Sequence, residues 1–188
     1  FVSFEEQLNT TVAVLRGVAE QAPQIEQIAA LVCERLLLGH TLLTCGNGGS
    51  AADAQHLAEE LTGRYRANRR PFPAICLAAD TTAITCIAND FGYEQVFARQ
   101  VEAYGRPGDV LVCFTTSGNS PNILAALETA RSRGLVTIAL LGKGGGKAQH
   151  HADHKIVVAS DDSARVQEAH MQIVHFICEV VERAVVKV

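Results

Sequence analysis

His56 and Glu60 stand four residues apart in a run, 51–61, that reads as a helix, so they share one face. An imidazole and a carboxylate so placed can act as acid and base, ligate a metal ion, or form a plain surface contact. Asp53, one turn earlier, is placed to orient the imidazole. Directly upstream lies Cys45, Gly46, Asn47, Gly48, Gly49 and Ser50. Its glycines allow positive φ and close backbone approach, and the helix that follows presents free N–H groups to an anion. The spacing is G-x-G-G, which is not the G-x-G-x-x-G of a dinucleotide site, and a tight strand-to-helix turn is the plainer alternative.

A second loop holds Thr115, Thr116, Ser117, Gly118, Asn119 and Ser120, with Pro121 at the first helical position. Four hydroxyls and a glycine at a helix N-terminus form a neutral, donor-rich cup that suits a phosphomonoester without lysine. A helix cap alone requires one hydroxyl. A third glycine-rich stretch, 142–147, fails as a nucleotide P-loop. Only three residues separate Gly142 from Gly146, and Ala148 stands where a magnesium-binding hydroxyl is needed. It reads as a flexible turn, and no nucleotide is expected.

The final helical run carries Gln167, Glu168, His170, Gln172 and His175 among Val166, Ile173, Val174 and Ile177. Polar groups embedded in a packing helix need partners of their own. For a single histidine there, a satisfied structural role is the ordinary reading. His150, His151 and His154 fall in a short polar connection and read as solvated, and His40 as a helix-end residue.

The elements that must position these groups follow from periodicity. Ser3 with Glu6 forms a capping-box pattern, and Leu8, Val12, Leu15 and Val18 recur at helical spacing. Pro23 opens a second helix that Gly39 ends. Short β-rich runs follow at 41–45, 74–78, 110–114, 137–141 and 155–159. Helical stretches separate them at 51–61, 82–89 with 94–103, 121–133 and finally 164–186. Strands alternating with helices predict an α/β fold with a five-stranded parallel sheet, and near-continuous apolar strands predict burial on both faces. No internal repeat, linker or low-complexity tract interrupts 1–188, so one domain is expected, with 1–39 as an added helical pair. In such sheets ligands sit beyond the carboxyl ends of the strands, where both unusual loops fall.

Composition narrows the classes. Of 188 residues, 48% are apolar and 19% charged, a balance that can bury a core. A net charge of −4 without a basic stripe gives nucleic-acid binding no electrostatic support. Six cysteines, with no C-x-x-C pair, sit mostly in apolar runs and read as reduced thiols of an intracellular protein. Glu5 and Glu6 contradict a secretory signal, and no apolar run reaches the roughly 18–20 residues of a membrane span. A cytoplasmic location and no membrane association are expected.

Four segments, CGNGGSAADAQHLAEELTGRY, AITCIANDFGYEQVF, GDVLVCFTTSGNSPNIL and ARVQEAHMQIVH, resemble the phosphoheptose (sedoheptulose 7-phosphate) isomerases of the sugar-isomerase (SIS) fold, which is flavodoxin-like. The resemblance runs over almost the whole chain. It implies a homotetramer with active sites at subunit interfaces, and isomerisation of sedoheptulose 7-phosphate to D-glycero-D-manno-heptose 7-phosphate for heptose biosynthesis. It implies substrate contacts from Asn47, Gly48, Gly49, Ser50, Asn89, Asp90, Thr115, Thr116, Ser117, Ser120 and Gln167. Glu60 and His175 would be the acid/base pair, and His56, Glu60, Gln167 and His175 would hold zinc. On a regular helix Gln167 and His175 are about 12 Å apart in rise and roughly 80° apart in azimuth, the limit for sharing one ion. Periodicity alone groups Glu168, Gln172 and His175. Ala164 stands where some family members carry an aspartate, and Phe114 with Thr115 replaces a smaller pair; neither change removes a proton-transfer group.

Two alternatives share the fold. One is a non-catalytic replication-initiator-associating protein, which departs from the glycine-loop and final-helix pattern kept here. The other is a sugar-phosphate-sensing regulatory module, which needs no Glu60/His175 pair.

Overall fold

Ser3 starts the first helix, α1 (Phe4–Val18), by a reciprocal cap: its Oγ accepts from Glu6 N at 3.1 Å, and Glu6 Oε2 accepts from Ser3 N at 3.2 Å. The computed structural model describes residues 3–186; Phe1, Val2, Lys187 and Val188, part of the expected 1–188 unit, lie outside the described residues. A single 3₁₀ turn, Ala19–Gln21, joins α1 to α2 (Ala22–Leu37), which carries Pro23 in its first turn, where a missing N–H costs nothing.

Five parallel strands follow: β1 (Leu42–Gly46), β2 (Ala74–Cys76), β3 (Val110–Thr115), β4 (Val136–Leu141) and β5 (His154–Val157). Their order across the sheet is β2-β1-β3-β4-β5. The intervening helices are α3 (Gly49–Thr62), α4 (Thr81–Phe91), α5 (Ala98–Tyr104), α6 (Pro121–Ser132) and α7 (Ser163–Val185). The chain leaves β1 toward one edge and β3 toward the other, so the reversal of direction lies between these two central strands. Their carboxyl ends therefore open a crevice at the topological switch point.

The sequence-based strands match best where burial is complete. Every residue of β1 and β3 is buried, as predicted for strands covered on both faces. The two edge strands differ from expectation. β2 stops at Cys76, although Leu77 N still donates to Thr44 O at 2.8 Å; β5 starts one residue early and ends two early. An edge strand pairs on one side only, so its apolar run outlasts its ladder.

Alternate strand residues serve two cores. Val112, Phe114 and Leu140 pack under α2, α3 and α7 with Leu57, Val174 and Ile177. Leu111, Cys113 and Ala139 pack under α5 and α6 with Val101, Ile123 and Leu127. Truncating any of these leucines to alanine costs about 2–5 kcal/mol. Among the described residues all six cysteines are free; five are buried and Cys86 is exposed. No described helix is long and apolar enough to cross a membrane.

α7 also buries His170, which bonds through Nε2 to the Leu141 carbonyl at 3.2 Å and meets the Phe114 ring edge-on at 6.0 Å. Its Nδ1 is buried without a partner. Burial disfavours the imidazolium and lowers its pKa to about 4, against the smaller opposing effect of the Leu141 carbonyl. The unfolded chain therefore takes up a proton near pH 6.5 that the folded chain refuses until about pH 4, and stability falls as pH drops through that window. Between pH 7 and 5 this group alone removes about 2 kcal/mol. Asp53 acts in the opposite sense: burial raises its pKa to about 6, and the folded state gains as it protonates. Urea unfolding at both pH values is expected to show His170→Phe gaining stability on acidification relative to the native chain, and Asp53→Asn losing it. Parallel pH profiles for all three proteins would refute this account.

Candidate active site

α3 begins with Gly49 at the mouth of the crevice, and the loop before it crosses to α6 through a pair of amides. Asn47 Nδ2 donates to Asn122 Oδ1 at 2.9 Å, and Asn122 Nδ2 donates to Asn47 Oδ1 at 2.8 Å. Tyr93 Oη donates to the same Asn47 oxygen at 3.1 Å. Asn47 thus retains one free N–H, fixed in direction, at the crevice. Asn122 is 2% exposed and was not evident from the sequence, because its partner is 75 residues away.

The loop after β3 forms a pocket of about 150 Å³ with Asn47, Ser50, Phe114, Ser163 and Gln167. Thr115 Oγ1 accepts from Gly118 N at 3.1 Å, and Ser117 Oγ accepts from Asn119 N at 3.2 Å. Hydroxyls that accept from the backbone keep their own O–H free to donate. Ser120 is the N-cap of α6 but makes no side-chain cap bond, so its hydroxyl is free as well. Thr116 Oγ1 is 3.2 Å from Ser163 Oγ at the start of α7. The N-termini of α3, α6 and α7 converge here, and their N–H groups and dipoles favour an anion.

The glycine-rich stretch 142–147, expected to be a flexible turn, is instead pinned to this cup. Ala148 N donates to Gly118 O at 2.8 Å, and Lys147 N donates to Asn119 Oδ1 at 3.0 Å. Its glycines let its backbone pass against that of Ser117 and Gly118, a contact between loops that local composition does not reveal.

α3 and α7 run side by side, and their polar residues meet at two levels. At the first, Gln167 lies so close over Gly49 that an added Cβ would sit 2.6 Å from its Nε2. About two turns further, His56 and Glu60 of α3 meet His175 of α7. His56 Nε2 is 3.2 Å from Glu60 Oε1 and 3.3 Å from His175 Nε2. One ligand atom from each of the three residues lies within 4.8 Å of the others, and all three side chains are half-buried. Two imidazoles and one carboxylate form a donor set suited to zinc, with room for a further ligand. Because α7 is one continuous helix from Ser163 to Val185, the eight-residue gap between Gln167 and His175 keeps its rise of about 12 Å.

Burial raises the Glu60 pKa, and Glu59 adds to this, while His56, His175 and Arg69 oppose it. A carboxylate made more basic in this way, beside imidazoles, is equipped to accept a proton from carbon. Asp53 does not orient His56: its Oδ2 is buried without a partner, and Glu59 Oε2 faces His56 Nδ1 at 3.9 Å. Packing turns Asp53 inward and leaves the exposed Glu59 beside the ring.

The SIS domain family model matches residues 6–142. The phosphoheptose isomerase of Citrifermentans bemidjiense is 48% identical over 183 residues, covering 97% of this chain and 95% of that protein. That of Akkermansia muciniphila is 49% identical over 170 residues, covering 90% of each. The chain belongs to the phosphoheptose isomerase family. A phosphoheptose isomerase structure from Francisella tularensis agrees in fold, with a TM-score of 0.92 at 37% identity over 95% of this chain and 96% of that one.

For a member of this family, the single chain brings together most of the residues that the resemblance implied. Asn47, Ser50, Thr115, Thr116, Ser117, Ser120 and Gln167 line one pocket; Gly48 caps α3 and Gly49 starts it, Gly49 directly beneath Gln167. Asn89 and Asp90 are not among its lining residues. They are exposed at the end of α4, where Asn89 Nδ2 donates to Asp90 Oδ1 at 2.7 Å. Ser163, Asn122 and the stretch 142–148 join the site through contacts distant in sequence, which no local pattern marks.

Proposed function

We propose that this chain interconverts sedoheptulose 7-phosphate and D-glycero-D-manno-heptose 7-phosphate by proton transfer through an enediol. The observation that carries this reading is the two-level arrangement of α3 and α7. The hydroxyl cup lies at their N-termini, and the proton-transfer group lies two turns along. From Gly49 to His56 the helix rises about 10 Å. With single bonds of about 1.5 Å, an extended seven-carbon monophosphate spans roughly the same distance. Phosphate bound by Thr115, Thr116, Ser117 and Ser120 then delivers carbons 1 and 2 to Glu60 and His175.

In the ketose-to-aldose direction Glu60 removes a proton from carbon 1. His175 passes the hydroxyl proton from oxygen 1 to oxygen 2, and Glu60 returns its proton to carbon 2, which regenerates the carboxylate. Gln167, at the cup level, is assigned to substrate. His56, Glu60 and His175 would hold a zinc ion, which when bound would polarise the substrate carbonyl. Elemental analysis after zinc loading is expected to give one ion per native chain and a large loss in His56→Ala. Equal zinc in both proteins would exclude this group as the site.

We assign 1–188 to one SIS domain, with helices 1–39 used in packing and association. α4 buries none of its residues although it carries Ile84, Ile87 and Phe91, and Tyr93 beyond it is also exposed. A homotetramer whose interfaces cover α4 would set Asn89 and Asp90 at a neighbouring subunit's site, which accounts for their absence from the lining of the cup. A cytoplasmic location and a role in heptose supply to the cell envelope accompany this reading. No observation favours the non-catalytic alternative. Incubating the protein with either heptose phosphate is expected to yield the same equilibrium mixture; recovery of both sugars unchanged would refute the proposal.

A further inference from the structure

Between α3 and β2 the chain crosses the C-terminal half of α7 in an irregular stretch, 63–73, held by two buried charged groups. Glu182, 7% exposed and about two turns beyond His175, accepts from Arg66 N at 3.0 Å and Ala67 N at 2.9 Å. Arg69, whose side chain is 2% exposed, approaches Glu182 Oε2 through Nε at 3.9 Å. Its Nη2 donates to Glu60 O at 2.6 Å, and its Nη1 donates to Leu61 O at 2.9 Å. The guanidinium thereby ties the turn of α3 that bears Glu60 to the crossing segment. A carboxylate accepting two main-chain N–H groups is a rigid fixture, since both bonds are charge-assisted.

The crossing segment puts one ring against the proton-transfer group. Tyr65 lies beside His175, with ring centroids 5.8 Å apart and planes inclined by 31°. On its own side Tyr65 is covered by the Arg66 guanidinium, 4.7 Å from its centroid. His175 therefore has Tyr65 as one neighbour and His56 as another, the latter at 5.4 Å and 68°. Among the described residues, the one hydrogen-bonding contact of the His175 imidazole is that with His56 Nε2. Aromatic packing at this distance is directional.

We infer that Tyr65 is a positioning residue, which sets the ring plane of His175 from a segment clamped by Glu182 and Arg69. The inference rests on the proposed isomerase reading. Misplacing a reacting group by about 1 Å can cost on the order of 100-fold in rate. Tyr65→Ala is therefore expected to lower kcat for heptose phosphate isomerisation by about 10- to 100-fold. KM should change little, because the hydroxyl cup is untouched. Tyr65→Phe keeps the ring and is expected to restore most of the rate.

In protein with labelled histidine, the His175 ring-carbon NMR signal should shift in Tyr65→Ala, through loss of the Tyr65 ring current, and return in Tyr65→Phe. Glu182→Gln, which keeps the shape but weakens the clamp, should move the same signal part of the way. Native-like turnover in Tyr65→Ala, or a loss confined to KM, would overturn the inference. So would a Tyr65→Phe variant as slow as Tyr65→Ala, since that would place the effect in the phenol oxygen. If the native protein shows no isomerisation the functional reading fails, and an unmoved His175 signal would overturn the positioning role separately.

Discussion

Glu60→Gln is expected to lower kcat by about 10²- to 10⁴-fold, the usual worth of a positioned general base, and to leave KM near its native value. The amide keeps the size of the side chain, so the α3 helix and the cup at its N-terminus are unchanged. It cannot accept a proton from carbon. The environment of Glu60 favours that proton transfer, because burial and the adjacent Glu59 raise its pKa while His56, His175 and Arg69 restrain the rise. Raising the pKa makes the carboxylate a stronger base, and the electrostatic influence of His56, His175 and Arg69 works against that rise. Steady-state kinetics with sedoheptulose 7-phosphate checks the split, and a variant that retains native kcat would remove Glu60 from proton transfer.

Gly118→Ala is expected to act at the other level of the site. Gly118 has φ +65°, which costs an L-residue roughly 1–2 kcal/mol. Its new Cβ would overlap the carbonyl oxygen of Gly145, a backbone atom that cannot swing away as a side chain can. Relief requires the 142–148 stretch to move off the cup, which breaks the bonds from Ala148 N to Gly118 O and from Lys147 N to Asn119 Oδ1. The folded state should lose about 2–4 kcal/mol, read as a lower urea midpoint. KM should rise by about tenfold or more, because the loop that presents Ser117 and Ser120 loses its wall. An unchanged KM would show that the wall does not shape the phosphate cup.

The parts of this site visible in the sequence are those built from consecutive residues. The glycine loop, the hydroxyl loop and the His56/Glu60 pair were legible because each occupies a short stretch beside a strand end or on one helix face. The central strands were legible because both of their faces are buried, whereas β2 and β5 shifted at the sheet edges. Hidden were the contacts made at long range: Asn47 with Asn122, Thr116 with Ser163, Tyr65 with His175, and Glu182 with the backbone of Arg66 and Ala67.

His175 shows the limit most clearly. Nothing in its local sequence separates it from His170, yet one is half-exposed beside Glu60 and the other is buried against Phe114. The five-residue step between them turns the helix by about 140°, and only the packing of α7 decides which face meets α3. The same packing places Gln167 over Gly49, at the level of the cup.

In the proposed reaction Glu60 exchanges a carbon-bound proton of a heptose phosphate held in the hydroxyl cup, while His175 moves the hydroxyl proton. Incubation of the native protein with sedoheptulose 7-phosphate in deuterated water, followed by NMR or mass spectrometry of the recovered sugar, tests it most directly. Deuterium is expected at carbon 1 of the ketose and at carbon 2 of the aldose, with incorporation lost in Glu60→Gln. Recovered sugar without deuterium, under conditions where the native protein binds it, would contradict the claim.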